Sequence, residues 1–194
     1  MSVHIAHLGA APAQPVEHGV HGVHSLGAPV DVVIAIDDPR ADDVGALLQQ
    51  HLAFANEVTP AGHVHALGID GLLEPAVTFF SARRDGQLLG VAALKQLDES
   101  HGELKSMHTT AVARGQGVAR ALLDHVLTVA AERRYRRVSL ETGTVEAFAP
   151  ARSLYANAGF RCCEPFAMYT SNPHSVCMMI ELSPTAERMC TDDG

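Results

Sequence analysis

The residues best suited to chemistry fall in one run, from Glu103 to Leu123. Arg114-Gly-Gln-Gly117 stands between a strand-like stretch, Glu103 to Thr110, and an amphipathic helix that starts at Val118. In that helix Leu122, Val126 and Val129 form one stripe, with Leu123, Leu127 and Ala130 beside it. The first N–H groups of a helix have no partner within it, and the helix dipole leaves partial positive charge there. Gly115 and Gly117 keep side chains away from those N–H groups. Arg114 and Arg120 add formal charge. With Gln116, Val118 and Ala119 they make a cradle for a phosphate group. It is not a Walker loop, because no Gly-Lys-Ser/Thr follows. Nor is it the dinucleotide fingerprint, which needs Gly or Ala where Arg120 stands.

Proton-transfer candidates surround this run. Glu103 opens the strand, Glu141 lies on a later one, and His108 has the unperturbed pKa best matched to neutral pH. The two-residue period of a strand places Glu103, Lys105, Met107 and Thr109 on one face and His108 on the other. Glu103 is equally able to pair with Lys105. The order of preference for a base is Glu141, Glu103, His108, with relay through water also open.

The elements that position these groups follow from local signals. Val30–Ile36 is β-branched and reads as a first strand. Asp42 or Asp43 caps a helix carrying Val44, Leu47, Leu48, His51, Leu52 and Phe54. Residues 57–73 read as a loop with a short helix. Val77–Arg84 and Gln87–Leu97 are strands joined by Asp85-Gly86, a hairpin signal. After the phosphate loop and its helix comes strand Val138–Glu141. It is expected to lie parallel to 103–110, since a helix joins them. Pro150 opens a helix that Gly159 ends. Strands at 160–163 and 176–182 complete an α/β domain over residues 30–182.

Composition narrows the classes. Net charge is −8, with 19% charged and 47% apolar residues, so a nucleic-acid surface is not expected. The run Arg133–Arg137 reads as a solvated helix end. No apolar run is long enough for a membrane span, and no signal peptide is evident, so the cytoplasm is the expected location. The 4 cysteines lack metal or redox spacing. Residues 1–29 hold 5 of the 12 histidines, including His18, His21 and His24, in a Gly/Pro-rich context that reads as a disordered extension. Residues 183–194 read as a flexible tail. No metal is called for.

Arg114, Gly117 and Ala119 fill the defined positions of a signature, Arg/Gln-x-x-Gly-x-Gly/Ala. That signature and the order of elements resemble the GNAT superfamily of acetyl-CoA-dependent N-acetyltransferases. Ala151-Arg-Ser-Leu-Tyr-Ala-Asn-Ala-Gly-Phe160 is similar to a second family motif, with Leu154, Tyr155, Gly159 and Phe160 in place. Glu103-Leu-Lys-Ser-Met107, Leu140-Glu-Thr-Gly143 and Phe148-Ala-Pro-Ala151 resemble a bacterial, YsnE-like branch. The resemblance implies a mixed, mostly antiparallel sheet of six to seven strands flanked by helices, with one splayed parallel pair. It implies that the loop holds the pyrophosphate of acetyl-CoA. The pantetheine arm would add to the strand at Met107, His108 and Thr109. Tyr155 would protonate the leaving thiolate. Many members carry Asn where this chain has Phe148, so that pantetheine contact is lost or made otherwise. The acceptor would be a primary amine of a small molecule or amino-acid-like compound. Its pocket is expected from residues 57–73 and 166–175, including His63, His65, Asp70, Tyr169 and Asn172. A homodimer is possible, since members often dimerise. A non-catalytic acyl-CoA-binding module is the alternative.

Overall fold

The computed structural model describes residues 31–58 and 67–183. The elements are β1 (Val33–Ile36), α1 (Asp42–Val58), α2 (Ile69–Leu72), β2 (Val77–Arg84), β3 (Gln87–Gln96), β4 (His101–Thr109), α3 (Val118–Glu132), β5 (Arg137–Gly143), α4 (Ala149–Asn157), β6 (Arg161–Cys162) and β7 (Ser175–Glu181). The strands form one 7-stranded sheet in the order β1-β2-β3-β4-β5-β7-β6. Every neighbouring pair is antiparallel except β4 and β5, which are parallel.

Helices cover both faces. Val118, Leu122, Leu123 and Val126 of α3 and Tyr155 of α4 pack on one face, against Phe80, Leu94, Leu104, Val138 and Leu140. Val44, Leu47 and Leu48 of α1 pack on the other, against Phe79, Val91 and Ala93. The alternation within β3 sends Val91 and Ala93 to the α1 face and Ala92 and Leu94 to the α3 face. Asp85-Gly86 joins β2 and β3 with φ of 49° and 80°, the left-handed pair that matches strand twist. At the sheet edge Arg83 bonds Asp37 (2.9 Å) and Asp43 (2.6 Å), tying the start of α1 to β2.

Two irregularities in β4 decide the site. β5 pairs with β4 at only three positions, His101↔Arg137, Gly102↔Val138 and Glu103↔Ser139. Beyond Glu103 the two strands part, and the β5-facing edge of β4 is left open. Ser106 has φ of 50°, and the register with β3 slips between Val91↔His108 and Ala93↔Lys105. This is a β-bulge, with one extra residue in β4. It overturns the expected alternation. Met107 turns to the α3 core beside Leu104, while His108 joins Glu103 and Lys105 on the α1 face. The strand also starts at His101, two residues earlier than the sequence signals indicate.

Candidate active site

The loop expected to cradle a phosphate lies at the N-terminus of α3. Gly117 precedes the helix with φ of 81°, and Gly115 has φ of 73° with open space where a side chain would stand. Those φ values favour glycine. Arg114 is exposed beside the loop. Gln116 and Arg120 are less available than their types suggest. Gln116 accepts from Arg84 (3.2 Å) and donates to the Val112 carbonyl (2.6 Å). Arg120 makes a two-pronged pair with Asp124, at 2.8 and 2.9 Å. Its charge is therefore partly spent along the helix. Arg84 was missed in the sequence reading. It reaches the loop from a strand 32 residues away, so spacing gives no sign of it.

The stretch of β4 that β5 leaves unpaired runs towards this loop. Backbone groups of Met107, His108 and Thr109 lie on that edge, where an extended amide-rich chain can pair as a strand does. On the α3 face, Tyr155 lies beside the Phe160 ring (5.8 Å), 7% exposed. Burial pushes its pKa up to about 12, so it holds its proton at neutral pH. Among the described residues no hydrogen bond engages its hydroxyl.

The α1 face carries the polar groups. Lys105 Nζ donates to Glu103 Oε1 (3.1 Å) and to the Tyr169 hydroxyl (2.6 Å), and that hydroxyl donates to Glu103 by a short hydrogen bond. The Lys105 and Glu103 side chains are 10% and 5% exposed. Burial first, then the Glu103 charge, raises the Tyr169 pKa. Glu141 follows Ser139 on the same face of β5, close enough to act electrostatically on Tyr169, and makes no hydrogen bond or ion pair among the described residues. His101, buried below, meets Ser139 Oγ at 2.8 Å, and Phe166 packs between its ring and that of Tyr169.

The structure thus brings together Glu103, Glu141 and Tyr169, but not every expected group. Asp70 is exposed in α2 and shares no hydrogen bond with the cleft. Asn172 is engaged within its own turn, bonding Thr170, Ser175 and His174 at 2.9–3.1 Å. His63, His65 and the N-terminal histidines lie outside the described residues. Phe148 packs edge-on to Phe54 of α1 (5.2 Å), adding an apolar wall on the side where a polar amide was expected. His51 of α1 was noted in the sequence only as part of a helix. Its ring lies 5.0 Å from that of His108. Burial lowers its pKa to about 4 and also lowers that of His108.

A helix-end cradle, an open strand edge and acidic and phenolic groups on opposite faces are what acyl transfer from a phosphate-bearing thioester needs. The comparisons agree. Residues 47–160 match the model of the acetyltransferase (GNAT) family. The chain is 45% identical over 149 residues to the uncharacterized N-acetyltransferase YsnE of Bacillus subtilis, covering 77% of this chain and 99% of that protein. A crystal structure assigned as an acyl-CoA N-acyltransferase of Klebsiella pneumoniae superposes with a TM-score of 0.66 at 25% identity, covering 79% of this chain and 99% of the other. A GNAT acetyltransferase of Elizabethkingia anophelis with acetyl-CoA bound shares the fold, with a TM-score of 0.58 at 19% identity over 78% of this chain and 98% of the other. By motif, fold and sequence this chain belongs to the GNAT family of acetyltransferases, in its YsnE-like branch.

Proposed function

We propose that the chain transfers the acetyl group of acetyl-CoA to the primary amine of a small molecule by direct attack. One observation supports this reading: the pairing of β4 with β5 ends at Glu103↔Ser139, leaving the rest of the β5-facing edge of β4 unpaired. The α3 N-terminus, with Arg114 and Arg84, holds the pyrophosphate, and the β4 edge at Met107 to Thr109 aligns the pantetheine. The thioester then lies in the gap. Glu141, unpaired at its α1-side mouth, holds the acceptor as its ammonium. The buried Glu103–Lys105–Tyr169 cluster fixes the floor. This arrangement removes Glu103 from the bases available, because Lys105 and Tyr169 already occupy its carboxylate. From the α3 side Tyr155 donates its proton to the departing sulfur. Phe54 and Phe148 favour acceptors with an apolar body beside the amine.

The test is thiol release from acetyl-CoA in the presence of a panel of primary amines, with the product identified by mass. Amine-dependent thiol release that yields the acetylated amine supports the reading. Binding of acetyl-CoA with no turnover on any amine would favour a sensor instead.

A further inference from the structure

The reading above places the acceptor ammonium at Glu141 and assigns no group to take its proton. We infer that His108 is that base, brought to the mouth of the gap by the bulge at Ser106 and backed by the ring of His51. This rests on the acetyl-transfer reading.

Three observations converge. The bulge rotates His108 onto the face that carries Lys105 and Glu141, on the stretch of β4 that β5 has left. Its ring is half-buried against His51. Among the described residues the buried side-chain polar atoms without a hydrogen bond are His51 Nδ1, Ser106 Oγ and Thr110 Oγ1. All three flank His108: one on the ring it packs against, two within two residues along the chain. Buried polar atoms are ordinarily paired, so such a cluster marks a place where a ligand or water completes the bonding.

The surroundings suit a base. His51 faces His108 from α1, Arg114 from the loop after β4, and Lys105 shares its face on β4; Val91 stands opposite on β3. No carboxylate bonds either imidazole among the described residues, so nothing nearby holds a proton on the ring. Burial works in the same direction. His108 therefore meets the ammonium as a neutral imidazole. It takes one N–H proton, and the freed lone pair attacks the acetyl carbonyl carbon. The C–S bond breaks, its electrons pass to sulfur, and sulfur takes the Tyr155 proton. The second proton lost by nitrogen returns to Tyr155, and His108 gives the first to solvent.

The experiment has two arms. In the first, wild type and His108→Gln are compared with 2-phenylethylamine, an ammonium at pH 7, and with hydroxylamine, which is largely neutral there. His108→Gln should lower kcat by about 100-fold or more with 2-phenylethylamine and lose the acid limb of its pH profile. With hydroxylamine the loss should shrink to a few-fold, and the stabilisation by acetyl-CoA should be unchanged. Equal loss with both amines, or an unchanged acid limb, would overturn the inference. The second arm needs no acceptor: the His108 ring is titrated by NMR with and without CoA. A ring neutral at pH 7 and shifted by CoA supports the role; a protonated ring, or one indifferent to saturating CoA, overturns it. Failure of CoA to bind at all would instead refute the acetyl-transfer reading itself.

Discussion

Acidification should destabilise this protein through His51 well before its carboxylates protonate. His51 packs into the α1 side of the sheet, where burial is the main cause of a pKa lowered to about 4 and the neighbouring His108 the second. In the unfolded chain the ring titrates near 6.5. Between those values the unfolded state binds a proton that the folded state refuses, so stability falls as pH falls. The stability is complete above about pH 6.5. By pH 5 the single group costs about 2 kcal/mol, rising to a little over 3 kcal/mol below pH 4. For a chain of this size 2 kcal/mol lowers the Tm by about 4–8 °C. His101 and His108 are also lowered and add slope of the same sign. The comparison must therefore be between wild type and His51→Leu, each followed by urea unfolding at pH 7.5, 6 and 5. The variant should lose about 2 kcal/mol less than wild type between pH 7.5 and 5. Parallel losses in the two proteins would show that His51 is not held neutral by burial. Asp37 and Asp43, lowered by hydrogen bonds to Ser81 and Arg83 despite some burial, act in a lower window, below about pH 4.

Other consequences can be checked by substitution. Lys105→Met leaves the Glu103 carboxylate buried without its ion pair and should cost about 3–5 kcal/mol in urea unfolding; adding Glu103→Gln should restore much of it. Gly143→Ala puts a Cβ 2.3 Å from the Phe148 ring. It should cost about 1–3 kcal/mol, and Phe148→Ala in the same chain should relieve the clash. Tyr155→Phe should lower kcat by about 100-fold or more while leaving the acetyl-CoA-induced rise in Tm intact; unaltered turnover would remove Tyr155 as the acid.

Much of the backbone around the proposed cofactor site was legible in the sequence because it is local. Gly115, Gly117 and the apolar stripe of α3 fall within one short run, and helix-end physics needs nothing distant. The Asp85-Gly86 hairpin was legible for the same reason. The proposed acceptor side was not, because its residues are brought together across the sheet. Tyr169 meets Glu103 from 66 residues away, and Arg84 meets Gln116 from 32. The bulge was hidden for another reason. A left-handed serine has no compositional mark, and a simple two-residue period carries straight through it, placing Met107 and His108 on the wrong faces. Asn172 illustrates the opposite error: a polar residue beside the expected pocket spends its groups on its own turn. The parting of β4 and β5 came from the family resemblance, since nothing in either strand's composition announces where pairing stops.

The central claim is that the loop from Arg114 to Arg120 is a cradle for the pyrophosphate of CoA. The measurement that tests it most directly is the thermal unfolding midpoint with acetyl-CoA, CoA and NAD in parallel. A ligand at about a hundred times its Kd adds about 2.7 kcal/mol of stability, a rise of several degrees here. A rise with acetyl-CoA and CoA that NAD does not reproduce, and that Arg114→Ala diminishes, is the predicted result. No rise with either CoA species would contradict the account, leaving the loop a plain helix start and the roles given to Tyr155, Glu141 and His108 without support.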